Sequence, residues 1–232
     1  LSIGPYRNDE FQEMFDRITI NETSFFRNPP QLDVFEKRVL ADLIEARKTS
    51  KQLRIWSVAC SSGEEPYTLA IQIHRTLGVR LADWRVEILG VDLSERVLCK
   101  AQEGLYTDYA LRGVNPLIIS RYFKKSDNGY QIDPTIQSMV HFERHNLKET
   151  AARRRYGTWG VIFCRNVMIY FDEAMRQSCL KMFHEQLAED GTLFIGHSET
   201  IRDSEIFIPR NEPQAFAYMK ERRANRVERR AS

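Results

Sequence analysis

Apolar residues fall into short unbroken or alternating blocks, separated by stretches in which they recur every three or four positions, so the chain reads as strands alternating with helices. Leu32, Phe35, Val39, Leu40, Leu43 and Ile44 mark an amphipathic helix that starts just after the Pro29-Pro30 breaker. Leu53, Ile55 and Val58 supply a first strand. The turn that follows it carries Gly63, with Pro66 suited to the first helical position, and Leu69, Ala70, Ile73 and Leu77 give the next helix one apolar face. A second β-rich run over 85–92 ends in Asp92 and leads to a helix carrying Val97, Leu98 and Ala101. The pattern then changes: Asn128-Gly129, between Tyr122-Phe123 and the run 130–132, is a hairpin signal and predicts a short antiparallel insert at about 120–138. Strands resume at 139–142 and at 159–164, the latter apolar throughout as a central parallel strand is. A helix from about Asp172 to Leu187, capped by Asp190-Gly191, a strand at 192–195, and a last pair at 207–208 and 215–219 complete the prediction. The class is α/β with a mainly parallel sheet.

Composition narrows the class without changing it. A chain of 232 residues with 42% hydrophobic content suffices for one sizeable α/β domain with a small appendage. No apolar run approaches the roughly 20 residues of a membrane-spanning helix, and no signal segment opens the chain, so a cytoplasmic protein without membrane insertion is expected. The chain begins at Leu1 rather than at a methionine, which suggests that an upstream segment is missing. Cys60, Cys99, Cys164 and Cys179 are far apart and the histidines show no ligand spacing, so neither a disulfide framework nor a metal site is expected. The formal net charge is only +2, but arginines cluster at 153–155 and in the tail beyond Lys220. Such patches suit acidic protein helices and RNA alike, and a solvated tail is the plain reading for 221–232.

The chemistry concentrates at strand ends, where open α/β sheets bind ligands. A dinucleotide-binding turn directs bare N–H groups at a pyrophosphate; here Glu64 and Glu65 occupy that place, which favours a ligand carrying an ammonium or sulfonium group. The same glutamates could instead complement the helix dipole. Asp92, at the end of the second strand, can accept the hydroxyls of an adenosine ribose, as an acid roughly 20 residues past the glycine turn does in nucleotide folds, or it can cap the next helix. Arg165, Asn166 and Tyr170 follow the central strand directly. Arg165 and Tyr170 can donate hydrogen bonds to an acceptor carboxylate and are candidates for orienting it; either could equally brace the loop. His197, Ser198 and Glu199 are consecutive and cannot converge as a hydrolytic triad.

Four blocks carry a family resemblance that extends over nearly the whole chain: Thr-Ile-Asn-Glu-Thr-Ser-Phe-Phe-Arg at 19–27, the turn at 56–67, Cys-Arg-Asn-Val-Met-Ile-Tyr-Phe-Asp at 164–172, and Gly-His-Ser-Glu at 196–199. The chain resembles the chemotaxis receptor methyltransferases of the CheR family. The resemblance implies a class I S-adenosylmethionine-dependent methyltransferase fold: a Rossmann-like, mainly parallel seven-stranded sheet with a small antiparallel β insert and the remnant of an N-terminal helical subdomain. The implied division is 1–30 for that remnant, 31–220 for the methyltransferase domain and 221–232 for the tail. It implies that Asn21, Thr23 and Arg27 contact S-adenosylmethionine from the N-terminal side, that Glu64 and Asp92 together hold its adenosine and amino acid portions from the sheet, and that Asn146, Leu147, Asn166 and Val167 complete the pocket. Taken alone, Asn21, Thr23 and Asn146 read as turn or helix caps. The implied reaction moves the sulfonium methyl to glutamate side chains in the cytoplasmic helical domain of a chemoreceptor, leaving S-adenosylhomocysteine. A monomer that does not bind nucleic acid is expected. Some members tether to a receptor's C-terminal peptide through the insert; with so little chain at 124–131, this one is expected not to. The alternatives are a methyltransferase acting on RNA or a small molecule, and a non-catalytic signalling module that senses the cofactor or its product.

Overall fold

The computed structural model describes residues 23–148, 157–201, 205–212 and 214–221. Helix α1 runs from Pro29–Val34 through a π-helical turn, Phe35–Val39, to Leu40–Ala46. Strand β1 (Gln52–Val58) leads into α2 (Glu64–Leu77), and β2 (Arg85–Asp92) into α3 (Glu95–Glu103). Then come β3 (Leu105–Tyr106), α4 (Pro116–Tyr122), β4 (Phe123–Ser126), β5 (Gly129–Ile132), α5 (Pro134–Ser138) and β6 (Val140–Arg144). Strand β7 (Trp159–Cys164), helix α6 (Glu173–Gln186), β8 (Leu187–Ile195), β9 (Phe207–Pro209) and β10 (Ala217–Lys220) complete the order.

Seven strands form one sheet in the order β6-β2-β1-β7-β8-β10-β9. The first five are parallel, and β10 runs antiparallel to both its neighbours. All six residues of β7 are buried, as their unbroken apolar character requires of a strand covered on both faces. Alternation sorts the core into two layers. Ile55 and Phe163 pack with Phe35 of α1, and the Phe163 and Phe194 rings stack at 4.5 Å; on the other face Trp56, Trp159 and Phe183 pack together. The fully buried Gln31 ties α1 to the sheet, its Nε2 donating to the carbonyls of Ile195 (2.8 Å) and Ala215 (2.6 Å).

Three sequence expectations change. The antiparallel insert is a three-stranded sheet, β3-β5-β4, because Leu105 and Tyr106 pair with Gln131 and Tyr130; it therefore begins well ahead of 120. Asp190-Gly191 does not cap a helix: α6 ends at Gln186, and β8 runs through both residues, with an irregular register against β7. Gly191 permits this because a Cβ there would lie 2.7 Å from the buried Leu187 side chain. Pro66 is the third residue of α2 rather than the first, where its missing N–H is still one of the four without a helical partner. No helix among the described residues is long and apolar enough to cross a membrane.

Candidate functional site

The carboxyl ends of β1, β2, β7 and β8 lie along one edge of the sheet, and the loops that leave them are bound to one another through side chains. The turn after β1 winds through positive φ at Ala59 (54°), Ser61 (51°) and Gly63 (91°). Small side chains suit such backbone. A Cβ on Gly63 would lie 2.9 Å from that of Ala101 and 3.1 Å from the Tyr106 hydroxyl, which itself donates to the Ser62 carbonyl at 2.8 Å. Glycine is therefore required both for the angle and for the close approach of α3 and β3.

Asp92 closes this turn from β2. One carboxylate oxygen accepts from the Ser61 N–H at 2.9 Å and the other from the Ser94 N–H at 3.0 Å. The helix N-cap is Ser94, so Asp92 forms an Asx turn ahead of α3 instead of capping it directly. Beside it, the Asp92 carbonyl accepts from the His145 N–H, which places Asn146 and Leu147 next to the β2 end. Asn146 accepts from the Lys148 N–H at 3.0 Å and so serves as a local cap, and Leu147 packs at the margin of the core.

The two glutamates of the turn are not equivalent. Glu64 is buried, and its carboxylate accepts from the Ser62 hydroxyl at 2.8 and 3.0 Å; burial raises its pKa, against its own backbone N–H and Ser62, which lower it. Glu65 accepts from the Ser57 hydroxyl at 2.6 Å and forms an ion pair with Arg165 at 3.2 Å. Glu65 is thus already matched to a cation of the protein itself, which leaves Glu64 as the acid suited to a ligand cation. Arg165 has only 6% of its side chain exposed, and its other terminal nitrogen donates to the Arg27 carbonyl at 2.8 Å. These contacts join the N-terminal segment to the sheet. Tyr170, on the short 3-10 turn Met168–Tyr170, is 61% exposed at the rim, with Ile169 beside it.

The N-terminal segment is fixed over the start of α2. Phe25 is buried edge-on against Tyr106 and Phe123 (4.7 and 5.0 Å) and its N–H donates to the Ala110 carbonyl; the Phe26 N–H donates to the Thr68 hydroxyl, which in turn donates to the Glu64 carbonyl. Thr23 and Arg27, both half-buried, flank this anchor, whereas Asn21 lies outside the described residues. On the far side Asn166 takes positive φ (59°), and it and Val167 leave β7 with their N–H groups bonded to Glu199.

Other candidates fall away. Cys60 and Cys164 are fully enclosed, and burial pushes both thiols well up, so neither is a ready nucleophile. His197 and Ser198 are exposed while Glu199 points inward, so the three do not form a triad. A cavity of about 430 Å³ lined by Tyr67, Gln102, Gln137, Val140, His141, Phe142 and Glu143 lies along the β6 edge. Among the described residues no three His, Cys, Asp or Glu side chains converge as a metal-binding group.

The donor set fits an adenosyl sulfonium ligand. Asp92 places a carboxylate at the end of β2, Glu64 is a buried acid at the start of α2, and Gly63 keeps the turn open to close approach. Strand order, the reversed β10 and this set of strand-end residues define a class I S-adenosylmethionine-dependent methyltransferase. Residues 21–216 match the family described as CheR methyltransferase, SAM binding domain, and the chain belongs to that family. It is 35% identical over 214 residues to chemotaxis protein methyltransferase 2 of Vibrio cholerae, covering 91% of this chain and 74% of that one. It is 36% identical over 198 residues to the chemotaxis protein methyltransferase of Borreliella burgdorferi (84% and 70%), and 38% identical over 192 residues to chemotaxis protein methyltransferase 1 of Pseudomonas aeruginosa (81% and 69%).

Proposed function

We propose that this chain methylates glutamate side chains in the cytoplasmic helical domain of a chemoreceptor, as a monomer acting in the cytoplasm and without a C-terminal receptor tether. When bound, S-adenosylmethionine supplies an electrophilic methyl group on sulfur. Asp92 would hold the ribose, Glu64 the cationic amino acid end, and Thr23, Arg27, Asn146, Leu147, Asn166 and Val167 the remaining faces, with Asn21 continuing the N-terminal side. The observation that carries this reading is the difference between the two acids of the turn: Glu65 is paired with Arg165, whereas Glu64 is buried and accepts from the Ser62 hydroxyl, which supports a role facing a ligand cation.

The acceptor chemistry asks little of the protein. A glutamate carboxylate is ionised at neutral pH and already nucleophilic, so no general base is needed, and the chain has only to orient it and exclude water. Arg165 fixes the Arg27 backbone over the site, and Phe25 anchors the same segment, which supports a closed N-terminal side. Tyr170 would donate to an incoming carboxylate, and its exposure at the rim supports that role. The compact insert, whose β4 and β5 have four residues each, supports tether independence.

The test is transfer of labelled methyl groups from S-adenosylmethionine to a purified receptor helical domain. Methyl groups released as methanol by mild alkali and mapped to glutamates are the expected result. Labelling of RNA instead, or cofactor binding without transfer to any acceptor, would contradict it.

A further inference from the structure

The block Gly196-His197-Ser198-Glu199 has no part in the chemistry above, yet it contains the most heavily coordinated carboxylate among the described residues. Glu199 is only 5% exposed. One of its oxygens accepts the N–H groups of Val167 (3.0 Å) and Met168 (2.7 Å), and the other those of Asn166 (3.0 Å) and Gly196 (2.6 Å). Three of these donors belong to the loop after β7 and one to the end of β8, so a single side chain joins the exits of two parallel strands. Gly196 is the residue that lets them meet: a Cβ there would lie 2.7 Å from the Glu199 carboxylate and 2.9 Å from the Asn166 nitrogen.

We infer that Glu199 is a positioning residue of the cofactor site, holding Asn166 and Val167 in the conformation in which they face the ligand. The inference rests on the proposed contacts of those two residues. Asn166 sits at φ 59°, in the left-handed region, which asparagine tolerates better than other residues with a side chain but which surrounding bonds must select over the commoner conformations. No intrastrand or helical ladder supplies those bonds, because the three successive N–H groups lie beyond the end of β7. An anion with two oxygens can satisfy all of them at once, and hydrogen bonds to a charged acceptor are the strong kind. Glutamine has the same shape but presents an NH2 group to two of the four donors, so it cannot replace the carboxylate. Aspartate keeps the charge and is shorter by one methylene.

The experiment is calorimetric titration with S-adenosylhomocysteine of the wild type, Glu199→Gln and Glu199→Asp, each well below its melting temperature. Affinity should fall on the order of tenfold or more in Glu199→Gln, since a hydrogen bond to a charged group is worth about that factor, with Glu199→Asp retaining more than Gln does. A role in packing alone predicts the opposite ranking, with the isosteric Gln near wild type, and that result, or Gln affinity within about twofold of wild type, overturns the inference. Amide exchange on the wild type is the second readout, and it decides the matter where Glu199→Gln does not fold. The 166–168 amides should exchange as slowly as those of the flanking strands, and rapid exchange there overturns the inference. A wild type that binds no S-adenosylhomocysteine contradicts the cofactor reading itself, a failure separable from the Glu199 cluster because amide protection reports on that cluster without ligand.

Discussion

Residue by residue, the sequence showed both acids of the turn, and the resemblance pointed to Glu64, but neither showed how each is held. Glu64 and Glu65 are adjacent in the chain, and only the fold turns one toward Ser62 and the other toward Ser57 and Arg165. Asp92 was legible because a β-rich run ends on it. Glu65 and Glu199 were not legible as organisers, since Arg165 lies 100 residues from Glu65 and the 166–168 loop more than 30 from Glu199. The two glutamates of the turn also differ in what substitution should do. Burial, the largest influence on Glu64, raises its pKa above the usual 4.5, so the native state holds the proton to higher pH than the unfolded chain does. Its contribution to stability is then fully present below the unfolded value and is lost as pH rises through the native one. Ionisation of Glu64 thus opposes folding, a cost in keeping with the proposed contact to a ligand cation. Glu64→Gln should therefore melt higher than wild type at pH 7, by about 2–4 °C for each kcal/mol relieved, with the gain shrinking toward pH 4.5, while cofactor affinity falls. A variant that melts lower and binds unchanged would show that the buried carboxylate has a different purpose.

Among elements, periodicity revealed α1, β1, β2, β7 and the final strand pair, because each has an apolar face or an apolar run of its own. Strand β3 escaped notice: two residues carry no period, and Leu105–Tyr106 becomes a strand only by pairing with β5. The stretch at Asp190-Gly191 misled for a related reason, since glycine marks a helix end and a strand irregularity equally well, and Leu187 packing decides between them. The bond network Ser57–Glu65–Arg165–Arg27 joins β1, α2, the β7 exit and the N-terminal segment. Glu65→Ala should lower stability by about 3–5 kcal/mol, because it leaves the buried Arg165 guanidinium unpaired. Combining Glu65→Leu with Arg165→Met removes both charges and should recover most of the melting temperature. Cofactor affinity should nonetheless stay weaker by about tenfold, since the Arg27 carbonyl has lost its donor. A double variant that binds like wild type would mean that Arg165 braces the fold without closing the site.

At the scale of the molecule, the seven-stranded order and the reversed β10 follow the class that four separated sequence blocks implied, and the matched residues 21–216 span nearly all that is described. What joins those blocks is visible only in three dimensions: 23–28 rests on α2, the α2 turn is closed by Asp92, and the 166–168 loop is gathered by Glu199. These strand ends are proposed to form one S-adenosylmethionine pocket whose ribose acceptor is Asp92. Calorimetric titration of the chain with S-adenosylmethionine and S-adenosylhomocysteine, repeated on Asp92→Ala, tests it most directly. Micromolar binding of both ligands, lost in a folded Asp92→Ala variant, is the predicted result. Undiminished binding in that variant, or none in the wild type, would contradict the account.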